Sequence, residues 1–373
     1  KLQTYGGYLE KYIQVLVAYQ GWDEIKLFDV FCGSGIYEDG KIGSPILAFD
    51  AIKMNREWCV RHKKHTTQIT LNINDLDKTK VDAVERYLSS QMQPANTQVK
   101  FNNLPARDFL NQIQEEVNIG KPKTRNLIFI DPYGYKEIKA DTIYNLLKNG
   151  TTEIVLFLPV SFIYRFAEIA QVESEVKQYE HLRDLISGFF KPDHPIQRNE
   201  VKSPLEFIKS LKEAMSFDER YYSASYYIQR DRGNYFALFF MTPNLKGLEK
   251  FLETKWEVDP VKGQGYKMPN PKGPSLFDDQ FEKDDRDDRL QSFADALKDF
   301  LKSNQPHDFD IYRFTLNNEF VPVHTNAILK EWQDANALEV WDKRENKPAR
   351  KGSFNIAYDS TKAAGSKFTF KMK

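Results

Sequence analysis

Over roughly its first 260 residues the chain switches between unbroken apolar runs and runs in which apolar residues recur every three or four positions. That alternation is the signature of strands and crossover helices in an α/β sheet. Lys26 to Phe31 is a β-branched and aromatic run that ends in Cys32-Gly33-Ser34-Gly35, a strand delivered into a glycine turn. Ile69, Leu71 and Ile73 alternate with polar residues and stop at Asp75-Leu76-Asp77, after which Val81, Val84, Tyr87 and Leu88 follow at helical spacing. Leu127 to Ile130 is continuously apolar, as a strand covered on both faces should be, and it ends at Asp131-Pro132-Tyr133-Gly134. Ile138, Ile143, Leu146 and Leu147 make the next helix face, and Ile154 to Leu158 the next buried strand. Three strands thus end in polar or glycine-rich turns, at the edge where an open α/β sheet holds its ligand.

Residues 161–220 read as a charged helical insertion over one edge of the sheet. Tyr221 to Gln229 and Tyr235 to Thr242 flank Arg230-Asp231-Arg232-Gly233-Asn234, a hairpin signal. An antiparallel terminal hairpin on a parallel sheet narrows the fold class to the methyltransferase-type variant of the Rossmann fold, here spanning 1–267. A Pro/Gly run (Pro269, Pro271, Gly273, Pro274) and seven carboxylates between Asp278 and Asp288 predict a solvated linker over 268–288. Beyond it, Leu290, Phe293, Ala294, Leu297, Phe300 and Leu301 repeat at three and four, and Ile328, Leu329 and Trp332 mark a second helix. Glu339-Val340-Trp341, a basic turn from Asp342 to Gly352, and alternating Phe354, Ile356 and Tyr358 then predict a ribbon. Helices followed by a ribbon with a basic loop describe a small winged-helix-like domain over 289–373.

Composition adds limits rather than a fold. With 41% hydrophobic and 14% aromatic residues in 373, the chain has the makings of a large core, and neither disorder nor a fibre fits. Its longest uncharged apolar stretch, Ile154 to Tyr164, is well short of the ~20 residues that cross a bilayer, so no membrane role is expected. Two cysteines, Cys32 and Cys59, make neither a disulfide framework nor an all-cysteine zinc site, and no basic-then-apolar leader opens the sequence. The expectation is a cytoplasmic protein without a metal. Charge is balanced, 53 basic against 53 acidic residues, which argues against a globally basic nucleic-acid binder. The balance is uneven along the chain: residues 343–373 hold nine Lys/Arg and two acids.

The strand-end turns carry the candidate chemistry. Gly33 and Gly35 allow a sharp turn and close approach of a ligand, and an acid after the second strand, Asp75 or Asp77, can accept both hydroxyls of a ribose. A dinucleotide site wants a third glycine where this chain has Glu38, which would repel a pyrophosphate. S-adenosylmethionine carries no phosphate, and carboxylates such as Asp29 suit its amino group. The cofactor-side set is Asp29, Phe31, Gly33, Gly35, Ser44, Asp75, Asp77 and Asp108. Gly43 at positive φ with Ser44 as N-cap and Pro45 in the first turn would open a helix beside the cofactor turn. Asp131, Pro132, Tyr133 and Gly134 are similar to the [D/N/S]-P-P-[Y/F] box of amino-methyltransferases, in which an acid and a carbonyl bond an exocyclic amine and an aromatic ring stacks on the base. The competing reading is that Asp131-Pro132 caps the following helix or ends the strand. Cys32 and Cys59 read as packed thiols, and His62 and His65 as a solvated helix end. No P-loop spacing occurs. Lys343, Arg344, Lys347, Arg350 and Lys351 are the candidate nucleic-acid contacts, DNA or RNA, with a solvated loop as the alternative.

Taken together, Lys26 to Gly35, Tyr37-Glu38-Asp39-Gly40, Gly43-Ser44-Pro45-Ile46-Leu47-Ala48 and Leu127 to Gly134 resemble the three-Cys-motif partner protein (TcmP) family of bacteria, over most of the chain. The turn Cys32-Gly33-Ser34-Gly35 departs from the common A-G-P-G but keeps both glycines. The resemblance implies a Rossmann fold similar to S-adenosylmethionine-dependent methyltransferases. It also implies a partner, a three-cysteine-motif protein resembling radical enzymes. Two functional readings follow: a methyltransferase acting on a nucleic-acid base, and a non-catalytic accessory protein that docks the partner or nucleic acid.

Overall fold

The computed structural model describes residues 1–120, 123–172, 177–198, 200–231, 234–267, 278–358 and 366–373. The chain divides into two compact units, Lys1–Lys250 with Tyr266–Met268, and Phe251–Gly265 with Pro269–Lys373. Among the described residues no helix is long and apolar enough to cross a membrane.

The first unit runs α1 (Leu2–Tyr19), β1 (Glu24–Asp29), α2 (Ser44–Arg61), β2 (Gln68–Asn74), α3 (Lys78–Ser89), β3 (Thr97–Asn102), α4 (Ala106–Ile119), β4 (Thr124–Ile130), α5 (Ala140–Leu147) and β5 (Thr152–Leu158). The insertion follows as α6 (Val160–Val172), a 3-10 turn (Lys177–Tyr179), α7 (Glu180–Phe189) and α8 (Pro204–Ala214). The hairpin is β6 (Tyr222–Asp231) and β7 (Asn234–Thr242), and α9 (Leu245–Val258) and β8 (Gly265–Lys267) come next. The tip residues Arg232 and Gly233 lie outside the described residues.

Strand order is β3-β2-β1-β4-β5-β7-β6-β8. From β3 to β5 every neighbour is parallel, while β7 runs antiparallel to both β5 and β6. One reversed strand between β5 and β6 is the methyltransferase-type Rossmann sheet that the hairpin led us to expect. The parity of each strand sorts its side chains. On one face Phe28, Val30, Ile128, Ile130, Ile154 and Leu156 pack against Phe109, Ile113, Ile143 and Leu147 of α4 and α5, and against the insertion. On the other, Tyr5 of α1 stacks on Phe129 at 4.0 Å and Tyr8 meets Phe240 edge-on at 4.7 Å. With both faces covered, the central strands read as unbroken apolar runs.

The second unit holds the latter part of α9, then α10 (Asp278–Asn304), α11 (Asp308–Asn317), α12 (Pro322–Asp334), β9 (Leu338–Asp342), β10 (Lys347–Pro348) and β11 (Phe368–Met372). Phe293 stacks on Phe320 at 4.0 Å and Phe300 on Phe314 at 4.4 Å, locking α10 to α11 and its exit turn.

Two expectations change here. The acidic segment expected in the linker is helical from Asp278 onward, as the start of α10. The Pro/Gly run before it, Pro269 to Pro274, lies outside the described residues. The strand expected at Phe354 to Tyr358 is also absent. Phe354 and Ile356 are buried without joining a ladder, and β9 pairs instead with β10 and, along its whole length, with β11.

Candidate functional site

After Asp29 the chain leaves β4, with Val30 N–H still donating to Phe129 O at 3.1 Å, and moves toward β2, where Cys32 N–H donates to Asn74 O at 2.9 Å. The turn that follows needs its glycines for different reasons. Gly33 has φ +59° and a Cβ there would meet nothing within 4 Å, so the space above it is open. Gly35 has φ +76° and its Cβ would lie 2.9 Å from Val84 Cγ2, so it lets the turn press against α3. A short exposed hairpin, closed by the Ile36 and Ile42 bridge, separates the turn from α2.

Asp75 braces this turn. It is 5% exposed, and its two oxygens accept the Gly33 N–H and the Asp77 N–H, each at 3.0 Å. A carboxylate oxygen has a second lone pair, so the group can still receive a hydroxyl. Asp77 is the N-cap of α3, accepting Thr79 N–H at 2.9 Å and its hydroxyl at 2.6 Å. Asn74 clamps three segments: its amide donates to Val30 O and Leu104 O, both at 3.1 Å, and accepts from Leu104 N–H at 3.0 Å. A polar residue ending a buried strand was the available signal.

Asp29 is 1% exposed and no donor meets either carboxylate oxygen with hydrogen-bond geometry. Burial pushes its carboxyl up to about 7; the nearby Asp131 charge adds to this, and Ser44, the Phe31 N–H and Lys1 oppose it. Opposite Phe129 in the ladder, Asp29 shares a face with Asp131 two residues further on. Asp131 forms an ion pair with Lys1 Nζ, and burial nevertheless raises its carboxyl. It caps no helix: α5 starts at Ala140 after Lys139. Cys32 is buried, and burial together with the Asp29 and Asp75 charges pushes its thiol up, the opposite of a nucleophile's tuning.

Ser44 lies where expected, 5% exposed at the start of α2, yet it is the first helical residue and Gly43 is the cap. Gly43 is extended (φ −90°, ψ −179°) rather than left-handed. Its missing side chain is explained by contact: it donates to Gly35 O, and a Cβ would sit 3.1 Å from that oxygen. Phe31 is half-buried against the α4 and α5 side of the core.

Tyr133 stands 86% exposed at the end of β4, while Pro132 beside it is buried and Gly134 half-buried. Lys80 of α3 donates to the Tyr133 hydroxyl at 2.8 Å, with its ammonium 4.9 Å from the ring centroid. The contact joins the D-P-Y-G box to the helix that Asp77 caps. The structure therefore gathers Asp29, Gly33, Ser44, Asp75, Asp131 and Tyr133 at one sheet edge, with Lys80 as a residue that motif reasoning missed. Asp108 is exposed on the first turn of α4, with Arg107 at 3.6 Å.

In the second unit, Lys343, Arg344, Lys347, Arg350 and Lys351 are all exposed, the first two on the turn after β9, Lys347 in β10, and the last two just beyond β10. Lys347 pairs with Glu345 at 2.7 Å, and Lys351 Nζ donates to Asp334 O at 3.3 Å. The exposed positions of α12 include Val323, Ala327, Lys330, Glu331 and Asp334, one cation against two acids.

No family model and no curated protein matches the chain, so the likeness to the TcmP family rests on the motifs alone. Among solved structures, a DUF519 protein from Legionella pneumophila is 14% identical over 65% of this chain and 85% of its own, with a TM-score of 0.36. The O-methyltransferase TomG from Streptomyces achromogenes, in complex with SAM, is 13% identical over 64% and 79%, with a TM-score of 0.31. An O-methyltransferase from Bacillus cereus, in complex with SAH, is 15% identical over 64% and 80%, also at 0.31.

Proposed function

We propose that this chain is an S-adenosylmethionine-dependent methyltransferase acting on an amino group of a nucleic-acid base, in concert with a three-cysteine-motif partner protein. The observation that carries the reading is Asp29, a buried carboxylate with no donor at hydrogen-bond geometry and only the Ser44 hydroxyl and the Phe31 N–H near it, beside a glycine turn open above Gly33. An unpaired buried carboxylate is costly, and a ligand ammonium would relieve it. The amino group of S-adenosylmethionine fits that demand; a pyrophosphate would aggravate it. The cofactor supplies an electrophilic methyl group. Asp29 would hold its ammonium, Asp75 its ribose hydroxyls, and the first turn of α2 its carboxylate. Asp131 would accept a hydrogen bond from the acceptor amine and Tyr133 would stack on the base, so the residues contribute positioning more than acid/base strength. The exposed basic turn of a winged-helix-like second unit would contact phosphates. The weakly charged α12 favours backbone contact by that turn over base reading by the helix.

The test is transfer of labelled methyl groups to structured RNA and duplex DNA, with and without cell extract as a source of partner. Asp131→Ala and Tyr133→Ala should abolish transfer and leave S-adenosylhomocysteine binding within about twofold. The accessory reading is favoured by one feature, the Lys1 ion pair that already engages Asp131. Cofactor binding without transfer to any substrate, partner included, would establish it instead.

A further inference from the structure

The edge of the sheet opposite the glycine turn holds a pocket of its own. One face of α1, with Tyr12 and Leu16, closes it on one side, Arg125 of β4 on another, and the turn from Pro243 into α9 on the third. At its floor Tyr8 donates to Glu153, and Thr242 Oγ1 donates to the same carboxylate at 2.7 Å. A side chain at Gly247 would strike that carboxylate, so the glycine lets Glu153 approach the first turn of α9. There the helix dipole and Arg125 favour its charge, while burial pushes its carboxyl up to about 7. Glu153 is thus accounted for as an internal anchor.

The Tyr12 hydroxyl is not. It is buried, it lines the same pocket, and it has no hydrogen-bond partner among the described residues. An unmet buried hydroxyl is unfavourable, so its position favours a ligand atom that can accept. Three cations line the pocket with it: Arg125, stacked 3.6 Å over Trp22, and Lys246 and Lys250 on α9, which flank Glu249 at 2.7 and 3.4 Å. Trp22, Pro243, Val15 and Leu16 supply an apolar wall, the last two half-exposed, and Thr151 and Asn244 add neutral polar groups. We infer that this pocket is a second binding site, for a small organic anion with a flat apolar body, whose acceptor oxygen meets the Tyr12 hydroxyl and whose charge lies among Arg125, Lys246 and Lys250. It stands at the amino ends of β4 and β5, a strand's length from Asp131, and is independent of the reading of the glycine turn.

Calorimetric titration of the full chain with benzoate, and with benzamide as its neutral counterpart, tests this. Benzoate should bind saturably in the millimolar range or tighter, and benzamide at least about tenfold more weakly. Tyr12→Phe keeps the ring and removes only the hydroxyl, and should weaken benzoate about tenfold. Leu16→Trp, which fills the half-exposed wall, should abolish the heat while leaving S-adenosylhomocysteine binding unchanged. Absence of saturable benzoate binding up to about 10 mM, equal affinity for benzamide, or an unaltered Tyr12→Phe titration would each overturn the assignment.

Discussion

Asp29 places a carboxylate where folding gives it no donor at hydrogen-bond geometry, and its titration should make that visible. Its folded value is about 7 against 3.8 in the unfolded chain, so between those values the folded state keeps a proton that the unfolded state has lost. Stability must therefore fall as pH rises from about 4 to 7. Asp29→Asn should flatten that slope and raise the unfolding free energy at pH 8 by up to about 4 kcal/mol, three units at ~1.4 each. Urea unfolding of both proteins at pH 4.5 and pH 8 checks the sign; a variant less stable at pH 8 would mean the carboxylate has donors after all. Asp75 is the opposite case, since both oxygens accept backbone N–H groups. Asp75→Ala leaves two part-buried donors without this acceptor and should cost about 1 kcal/mol even without cofactor. Asp75→Asn, which keeps one acceptor, should cost less. At this scale the candidate acids were legible because each follows an apolar run. Their different states were not, because burial and backbone donors come from segments far apart in sequence.

Among the elements, the glycine turn separates backbone strain from packing. Gly33→Ala meets only the left-handed φ and should cost about 1 kcal/mol, while Gly35→Ala adds the contact with Val84 and should cost about 1–3 kcal/mol more. Denaturant midpoints with unchanged slopes would measure the difference. Gly33→Ala should nevertheless weaken S-adenosylhomocysteine more than Gly35→Ala does, because its methyl projects into the open space. The strands β1, β4 and β5 were readable from sequence as apolar runs covered on both faces, and β2 from its alternation of Ile69, Leu71 and Ile73 with polar residues. β3 was missed because Thr97-Gln98-Val99-Lys100-Phe101-Asn102 is an edge strand with Gln98 and Lys100 in solvent and no residue fully buried. Phe354 and Ile356 misled in the other direction, for their alternation reflects burial without a strand partner. The start of α10 read as linker because a dense run of carboxylates carries no apolar spacing to mark a helix.

For the molecule as a whole, zero net charge means that nucleic acid must be held locally if it is held at all. Five phosphate contacts by the basic turn would give a slope of about −4.5 in log affinity against log salt on duplex DNA. Changing Lys343, Arg344, Lys347, Arg350 and Lys351 to Ala should reduce the slope nearly to zero; anisotropy across a salt series would reveal it, and the same slope in both proteins would leave the turn as a solvated loop. The most direct measurement concerns the cofactor itself: calorimetric titration of S-adenosylmethionine into the wild-type chain and into Asp29→Asn, in two buffers of different ionisation enthalpy near pH 7. The account predicts saturable one-to-one binding to the wild type, with proton release as the bound ammonium draws the Asp29 carboxyl into its ionised form. It predicts affinity about ten- to hundredfold weaker in the variant, with the proton release gone. No saturable binding by the wild type, or equal binding by both proteins, would contradict it.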